Sequence, residues 1–196
     1  MNKKGETLLE VLIALTLITV SVAAAASAMM SATKGLSLSK NYLIAQNLAS
    51  EGLEIVKNIR DTNWMKFPVD KEDCWLNLKT DITTSDLCDP LKYIDGQNND
   101  YYIAVENNMF TLKPGHQKTM GETTEAAPAD IYGLKLEGGE YMTSIDNPSF
   151  YRGIRVLPPK EGENNSEAIF IQVIVKWKEG AKPYEITGTE ILTNYL

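Results

Sequence analysis

Glu10 places a carboxylate at the very start of a long apolar stretch, and this charge needs a chemical explanation. Residues 11–33 contain no Asp, Glu, Lys or Arg, and they exceed the roughly 20 residues that a membrane-spanning helix needs. A carboxylate near the centre of a bilayer costs about 2.5–3.5 kcal/mol, and less near the edge. A charge that is kept at this cost predicts a cationic partner close by.

A cut after Gly5 would create such a partner. The new α-amino group would lie on Glu6, four residues before Glu10, and residues four apart meet across one turn of a helix. The amine and the carboxylate could then form an ion pair. An ordinary secretory signal would gain nothing from the same carboxylate.

The residues themselves leave three interpretations of the apolar segment open. A cleavable secretory signal would use the Ala-Ser-Ala sequence at 26–28 and start the mature chain at Met29. A plain single-pass anchor would keep the whole segment, and a third kind of leader would lose only its short basic end. Lys3 and Lys4 precede the stretch, which predicts a cytoplasmic N-terminus and an exported C-terminal part.

The sequence KKGETLLEVLIAL, which begins at Lys3, resembles the N-terminus of type IV pilins and type II secretion pseudopilins. This resemblance implies that a prepilin peptidase cleaves between Gly5 and Glu6, and that the new Glu6 amine is N-methylated. It also implies that Glu10, the fifth mature residue, docks the subunit into a growing filament. The family usually has Phe at the first mature position, where this chain has Glu6.

Two further segments resemble minor pilins of the I/V class. The pair IFIQVIVKWKEG and YEITGTEILTNYL is similar to the closing hairpin of that class, and AQNLASEGLEIVKNIRDTNW is similar to the end of its helix. The resemblance implies an α+β fold, with a long N-terminal helix packed on a C-terminal antiparallel β-sheet. It favours a minor type IV pilin or pseudopilin that primes or joins a pilus-like filament. The alternative is a membrane-anchored surface adhesin or sensor domain that shares only the anchor.

The segment after the apolar stretch continues the helix without a proline and carries one apolar stripe. Residues of the stripe recur at intervals of three and four, as on one face of a helix. They are Leu38, Tyr42, Ala45, Ala49, Gly52, Val56 and Ile59, with Leu48, Leu53 and Ile55 beside them. The stripe predicts packing on a β-sheet, and Asp61-Thr62-Asn63 predicts the exit from the helix.

The predicted organisation has four parts. Residues 1–5 are the leader, and residues 6–33 are the transmembrane or filament-core half of the helix. Residues 34–63 are its amphipathic half, and residues 64–196 form an exported, β-rich globular domain. The length beyond the apolar stretch is sufficient for one hydrophobic core.

Seven strand-like segments follow, and the turn residues between them favour antiparallel pairing. The segments are 101–105, 109–112, 131–136, 141–144, 150–157, 169–177 and 184–192. Apolar and polar residues alternate along 169–177, as in a half-buried strand. Gly138-Gly139 suits a tight hairpin turn, and Lys178 to Pro183 reads as a longer turn.

The remaining reactive side chains do not indicate catalysis. Cys74 and Cys88 are the only cysteines. In an exported domain they predict a disulfide, with two free buried thiols as the alternative, and they make a poor metal site without a nearby His. His116 lies in a loop without a nucleophile pattern beside it, so a solvated loop residue is favoured over a general base. We therefore predict a protein that is not an enzyme, with no metal and no cofactor.

The partners and the location follow from the charge and from the resemblance. A net charge of −7 argues against nucleic-acid binding, which needs a basic surface. The implied partners are the prepilin peptidase, other pilins or pseudopilins, the inner-membrane assembly platform and membrane lipid. The predicted location is the cytoplasmic (inner) membrane, as a single-pass protein, and the pilus or cell surface after assembly.

Overall fold

The computed structural model describes residues 3–68, 74–75, 100–106, 109–114, 133–137, 140–143, 149–157 and 168–193. The chain divides into two compact units, Met1–Leu43 and Ile44–Leu196. One helix, α1 (Lys3–Lys66), contributes residues to both units. The strands are β1 (Tyr101–Glu106), β2 (Met109–Pro114), β3 (Gly133–Glu137), β4 (Glu140–Thr143), β5 (Phe150–Leu157), β6 (Ala168–Glu179) and β7 (Lys182–Thr193).

The described strands pair in an antiparallel manner around β5. On one side β6 pairs along the whole of β5, and β7 in turn pairs with β6. The other side of β5 is shared, because β1 pairs with it at Ile154 and β3 pairs with it at Phe150 and Tyr151. The hairpins β1–β2 and β3–β4 therefore lie side by side along one edge of β5.

The core of the second unit lies between α1 and one face of this sheet. The helix contributes Ala45, Leu48, Ala49, Ile55, Val56 and Ile59, and β6 contributes Ile169, Ile171, Val173, Val175 and Trp177. The alternating residues of β6 are thus buried on the side facing the helix, as their period of two predicts. A long helix packed on an antiparallel sheet confirms the predicted α+β fold.

Helix and sheet approach each other closely at Gly52. A Cβ atom on Gly52 would lie 2.8 Å from Cγ1 of Val173 and 3.4 Å from Cδ of Arg152. A Cβ atom essentially never comes so near another heavy atom as 2.8 Å, so any side chain here would push helix and sheet apart. Gly52, which the spacing places within the apolar stripe, is therefore a packing position.

The helix ends at Lys66, beyond the exit that the sequence predicted at residues 61–63. Asp, Thr and Asn favour turns, but Asn63 is fully buried and its carbonyl accepts a hydrogen bond from the Phe67 amide at 2.9 Å. The Arg60 guanidinium also donates to the Asp61 carboxylate at 2.8 Å. Tertiary burial thus outweighs the weak local preference that would end the helix earlier.

The buried stripe is also shorter than the sequence indicated. Ala45 is the first fully buried member, whereas Tyr42 is 48% exposed. Leu38 and Tyr42 belong to the first unit, which ends at Leu43, so they are not part of the core that Ile44–Leu196 builds. The spacing of apolar residues by three and four continues through this boundary because α1 continues through it. The spacing alone therefore does not show where burial begins.

All seven predicted strands are present, and the segment 150–157 coincides with β5. The turn between β6 and β7 is tighter than predicted, because only Gly180 and Ala181 separate the two strands. Gly180 has a φ of 60°, a conformation that favours glycine. Pro183 suggested a longer turn, but β7 pairs only with β6 among the described strands, and edge strands tolerate proline. Gly138 and Gly139 lie outside the described residues.

Candidate processing and assembly site

The first unit carries exposed apolar side chains along most of its helix. The large ones are Leu8, Leu9, Val11, Leu12, Ile13, Leu15, Leu17, Ile18, Val20, Val22, Met29, Met30, Leu36, Tyr42 and Leu43. Large contiguous apolar surfaces are rare on soluble monomers and mark contacts with membranes or other proteins. By length and composition, α1 can cross a membrane once.

Hydroxyl side chains within the apolar stretch bond to carbonyl groups of the helix itself. The Thr16 hydroxyl donates to the Ile13 carbonyl at 2.8 Å, and the Ser21 hydroxyl donates to the Leu17 carbonyl at 2.7 Å. Equivalent bonds are made by Thr19, Ser27 and Thr33. These groups have partners without water, so they do not oppose burial of the stretch in lipid.

Gly5, Glu6 and Glu10 all lie within α1. The Glu10 side chain is exposed, while nothing is described of the side chains of residues 3–6. In the uncut chain the Glu6 nitrogen is an uncharged peptide amide. Cleavage after Gly5 would turn this nitrogen into a cation one helical turn from the Glu10 carboxylate.

Residues 1–26 match the family model of the prokaryotic N-terminal methylation motif. The chain carries the prepilin signature of type IV pilins and pseudopilins. The matched residues of this prepilin signature include Gly5, Glu6, Glu10 and the first part of the apolar stretch. The signature implies processing by a prepilin peptidase and assembly with other pilins. No curated protein and no solved structure matches the chain.

Cys74 is fully buried, and its sulfur takes part in a disulfide. It packs with Phe67, immediately after the end of α1. The chain has one other cysteine, Cys88, which lies outside the described residues. Pairing of Cys74 with Cys88 stays a prediction, and it would hold the segment after the helix in a closed loop.

Reduction of this disulfide is expected to lower the stability of the globular domain. A closed loop of about 15 residues contributes about 3 kcal/mol by restricting the unfolded chain. Thermal denaturation followed by circular dichroism, with and without reductant, measures the difference. The double substitution Cys74→Ala and Cys88→Ala should melt like the reduced protein in both conditions. An unchanged melting temperature after full reduction would contradict the predicted stabilisation.

Arg152 joins the sheet to the helix from within the core. Its side chain is only 6% exposed, and Nη1 lies 3.0 Å from Oε2 of Glu51 and donates to the Leu48 carbonyl at 3.2 Å. Burial lowers the pKa of the Arg152 guanidinium from its usual value, and the Glu51 carboxylate opposes this effect. No motif in the sequence pointed to Arg152, although the alternation along β5 places it on the same face as Phe150 and Ile154.

A second ion pair joins the residue that precedes β1 to β5. Arg155 donates from Nε and Nη2 to the two carboxylate oxygens of Asp100, at 2.7 and 3.1 Å, and Asp100 is fully buried. Such a two-point contact restricts the orientation of both groups. No sequence signal pointed to this pair, because its members are distant along the chain.

Lys57 lies between two carboxylates at the edge of the helix–sheet contact. Its Nζ is 2.8 Å from Oε1 of Glu190 on β7 and 3.1 Å from Oε1 of Glu54. Hydrogen bonds to Glu190 first, and then to Glu54, raise the pKa of Lys57 above its usual 10.5. The stabilisation is therefore fully present below pH 10.5 and is lost only as the pH rises through the folded-state pKa. At neutral pH the Lys57 ammonium is therefore shared between the carboxylates of Glu54 and Glu190.

An open depression of about 370 Å³ adjoins this cluster. Its lining consists of Glu51, Glu54, Ile55, Lys57, Asn58, Asp61 and Phe110. The described part of the chain contains no group of three or more His, Cys, Asp or Glu that could hold a metal ion. His116 lies outside the described residues. The depression thus combines the carboxylates of Glu51, Glu54 and Asp61 with the apolar side chains of Ile55 and Phe110.

Proposed function

We propose that this protein is a minor type IV pilin or pseudopilin, a structural subunit that primes or joins a pilus-like filament. The observation that carries the proposal is the prepilin signature at residues 1–26, on a helix whose apolar side chains are exposed. Residues 1–5 would be the leader and residues 6–33 the part held first by lipid and later by neighbouring helices. Residues 34–63 would support the exported domain formed by residues 64–196.

The proposed assembly step depends on a carboxylate that needs an amine. After cleavage, Glu10 would pair with the amine of its own Glu6 while the subunit remains in the membrane. When a subunit is added, Glu10 would instead meet the amine of its neighbour. An unpaired charge in an apolar surrounding is costly, so only an axial position that brings an amine close is favourable. The carboxylate would thereby select one register between adjacent helices.

The proposed topology follows from the charges beside the apolar stretch. Lys3 and Lys4 would stay in the cytoplasm, where the peptidase cuts and the assembly platform engages the subunit. The domain after the helix would face the outside of the inner membrane, where oxidising conditions would preserve the Cys74 disulfide. After assembly the same domain would lie at the surface of the filament.

Blocking the cut tests the proposed processing. A Gly5→Val substitution should leave the chain at full length, because a branched side chain would not fit a peptidase site that selects glycine. Intact-mass measurement of protein from membranes should show that the unchanged protein has lost residues 1–5 and gained a methyl group. Gly35→Val is the matched control, because a Cβ atom at Gly35 has nothing within 4 Å. A mature chain that starts at Met29 would instead establish a secretory signal.

A further inference from the structure

Lys40 lies in an apolar face of α1 and has no acidic neighbour on the helix. Leu36 and Leu43 are four residues before it and three after it, so the three side chains share one face. The two leucines are 72% and 61% exposed, and Lys40 is exposed as well. Residues 11–50 contain no Asp or Glu, and within the part of the chain that the structure describes Lys40 makes no ion pair.

Glu54, in the second unit, carries a negative charge that its neighbours neutralise only in part. Its side chain is 71% exposed, and it shares the Lys57 ammonium with Glu190, which makes the shorter contact. Two carboxylates and one ammonium leave one negative charge at this position. Glu54 also lines the depression that contains Ile55 and the 38% exposed ring of Phe110. A cation flanked by apolar side chains would complement both the negative charge of Glu54 and the apolar side chains of Ile55 and Phe110.

We propose that this depression binds the Lys40 face of α1 from a second copy of the chain. The Lys40 ammonium pairs with Glu54 of the other copy, and Leu36 and Leu43 contact Phe110 and Ile55. Charge complementarity supports this occupant, because residues 11–50 carry lysines and no carboxylate, whereas acidic residues outnumber basic ones in the rest of the chain. The inference rests on the proposed function, and it requires that two copies of this subunit meet in the priming or growing filament.

The charges and the apolar contacts have different effects in this interface. An exposed ion pair adds little affinity, so the leucines would supply most of the attraction. Opposite charges mainly determine which registers are allowed, because like charges brought together are strongly unfavourable. Loss of Glu54 leaves Lys57 paired with Glu190, so substitution of Glu54 is not expected to disturb the fold.

A charge exchange tests the interface in the full-length protein. Two differently tagged copies are produced in the same membranes and are purified together in mild detergent. Lys40→Glu and Glu54→Lys, each placed in both copies, should lower the recovery of the second copy by about fivefold. The combined Lys40→Glu/Glu54→Lys protein should return to the unchanged level, because opposite charges again face each other. Glu54→Gln, which adds no new charge, should give a smaller loss.

Lys34→Glu is the matched control, because it makes the same change of charge on the same helix. It should leave recovery unchanged. Equal losses for Lys34→Glu and Lys40→Glu, with none for Glu54→Lys, would assign the lysines to anionic lipid headgroups and overturn the proposal. A combined variant that stays at the level of the single variants would also overturn it. Failure of the unchanged copies to associate would do the same, yet cleavage after Gly5 and assembly with other pilins would still support the proposed function.

Discussion

A Trp177→Ala substitution is expected to cost the globular domain about 3–5 kcal/mol of stability, as large-to-small changes of buried aromatic residues do. The Trp177 ring is 2% exposed. It stacks on Tyr184 with ring centroids 5.5 Å apart, and it lies 6.0 Å from the ring of Phe150. Its removal therefore leaves a cavity where β5, β6 and β7 meet. Domains of this size have a total stability of only about 5–15 kcal/mol, so a substantial part of that stability would be lost.

Urea denaturation of a soluble fragment that begins at Leu36 measures this loss. Lys178→Ala is the matched control, because Lys178 is the next residue of β6 and is exposed on the opposite face. Its effect should stay within about 0.5 kcal/mol, as for most surface changes. If both variants unfold at the same urea concentration, β6 does not have the orientation described above.

Glu10→Leu is expected to leave the protein cleaved, inserted and folded, but to reduce its recovery with other pilins roughly tenfold or more. None of the first three steps needs the carboxylate, and insertion becomes easier without it. Assembly does need it in the proposed mechanism, where losing one partner of a buried ion pair costs about 3–5 kcal/mol. Counting filaments and co-purified pilins in cells that contain only the variant measures the effect.

Thr16→Leu is the control for a gain of apolar surface on the same helix. The Thr16 hydroxyl bonds only to the Ile13 carbonyl among the described residues, so its loss leaves no buried polar group unsatisfied. Assembly should therefore remain normal in this variant. Normal filament numbers with Glu10→Leu as well would show that Glu10 has no role in docking.

Local features of the chain were readable from the sequence. The apolar stretch, the Gly5–Glu6–Glu10 spacing and the alternation of β6 each depend on neighbouring residues and on one known period. For the same reason all seven strands were predictable, and the family resemblance implied the α+β fold that joins them to the helix. The prepilin signature matched at residues 1–26 is also a local pattern.

Contacts between distant segments depended on the tertiary structure. Arg152 meets Glu51 and the Leu48 carbonyl only because Gly52 lets the helix approach the sheet, and nothing in the local sequence encodes that distance. The helix continues to Lys66 because Asn63 is buried there. The free energy of this packing is larger than the weak local preference of residues 61–63 for a turn. Sequence periodicity thus determined which side chains share a face. The free energy of packing one element on another decided where α1 ends and which charges became buried.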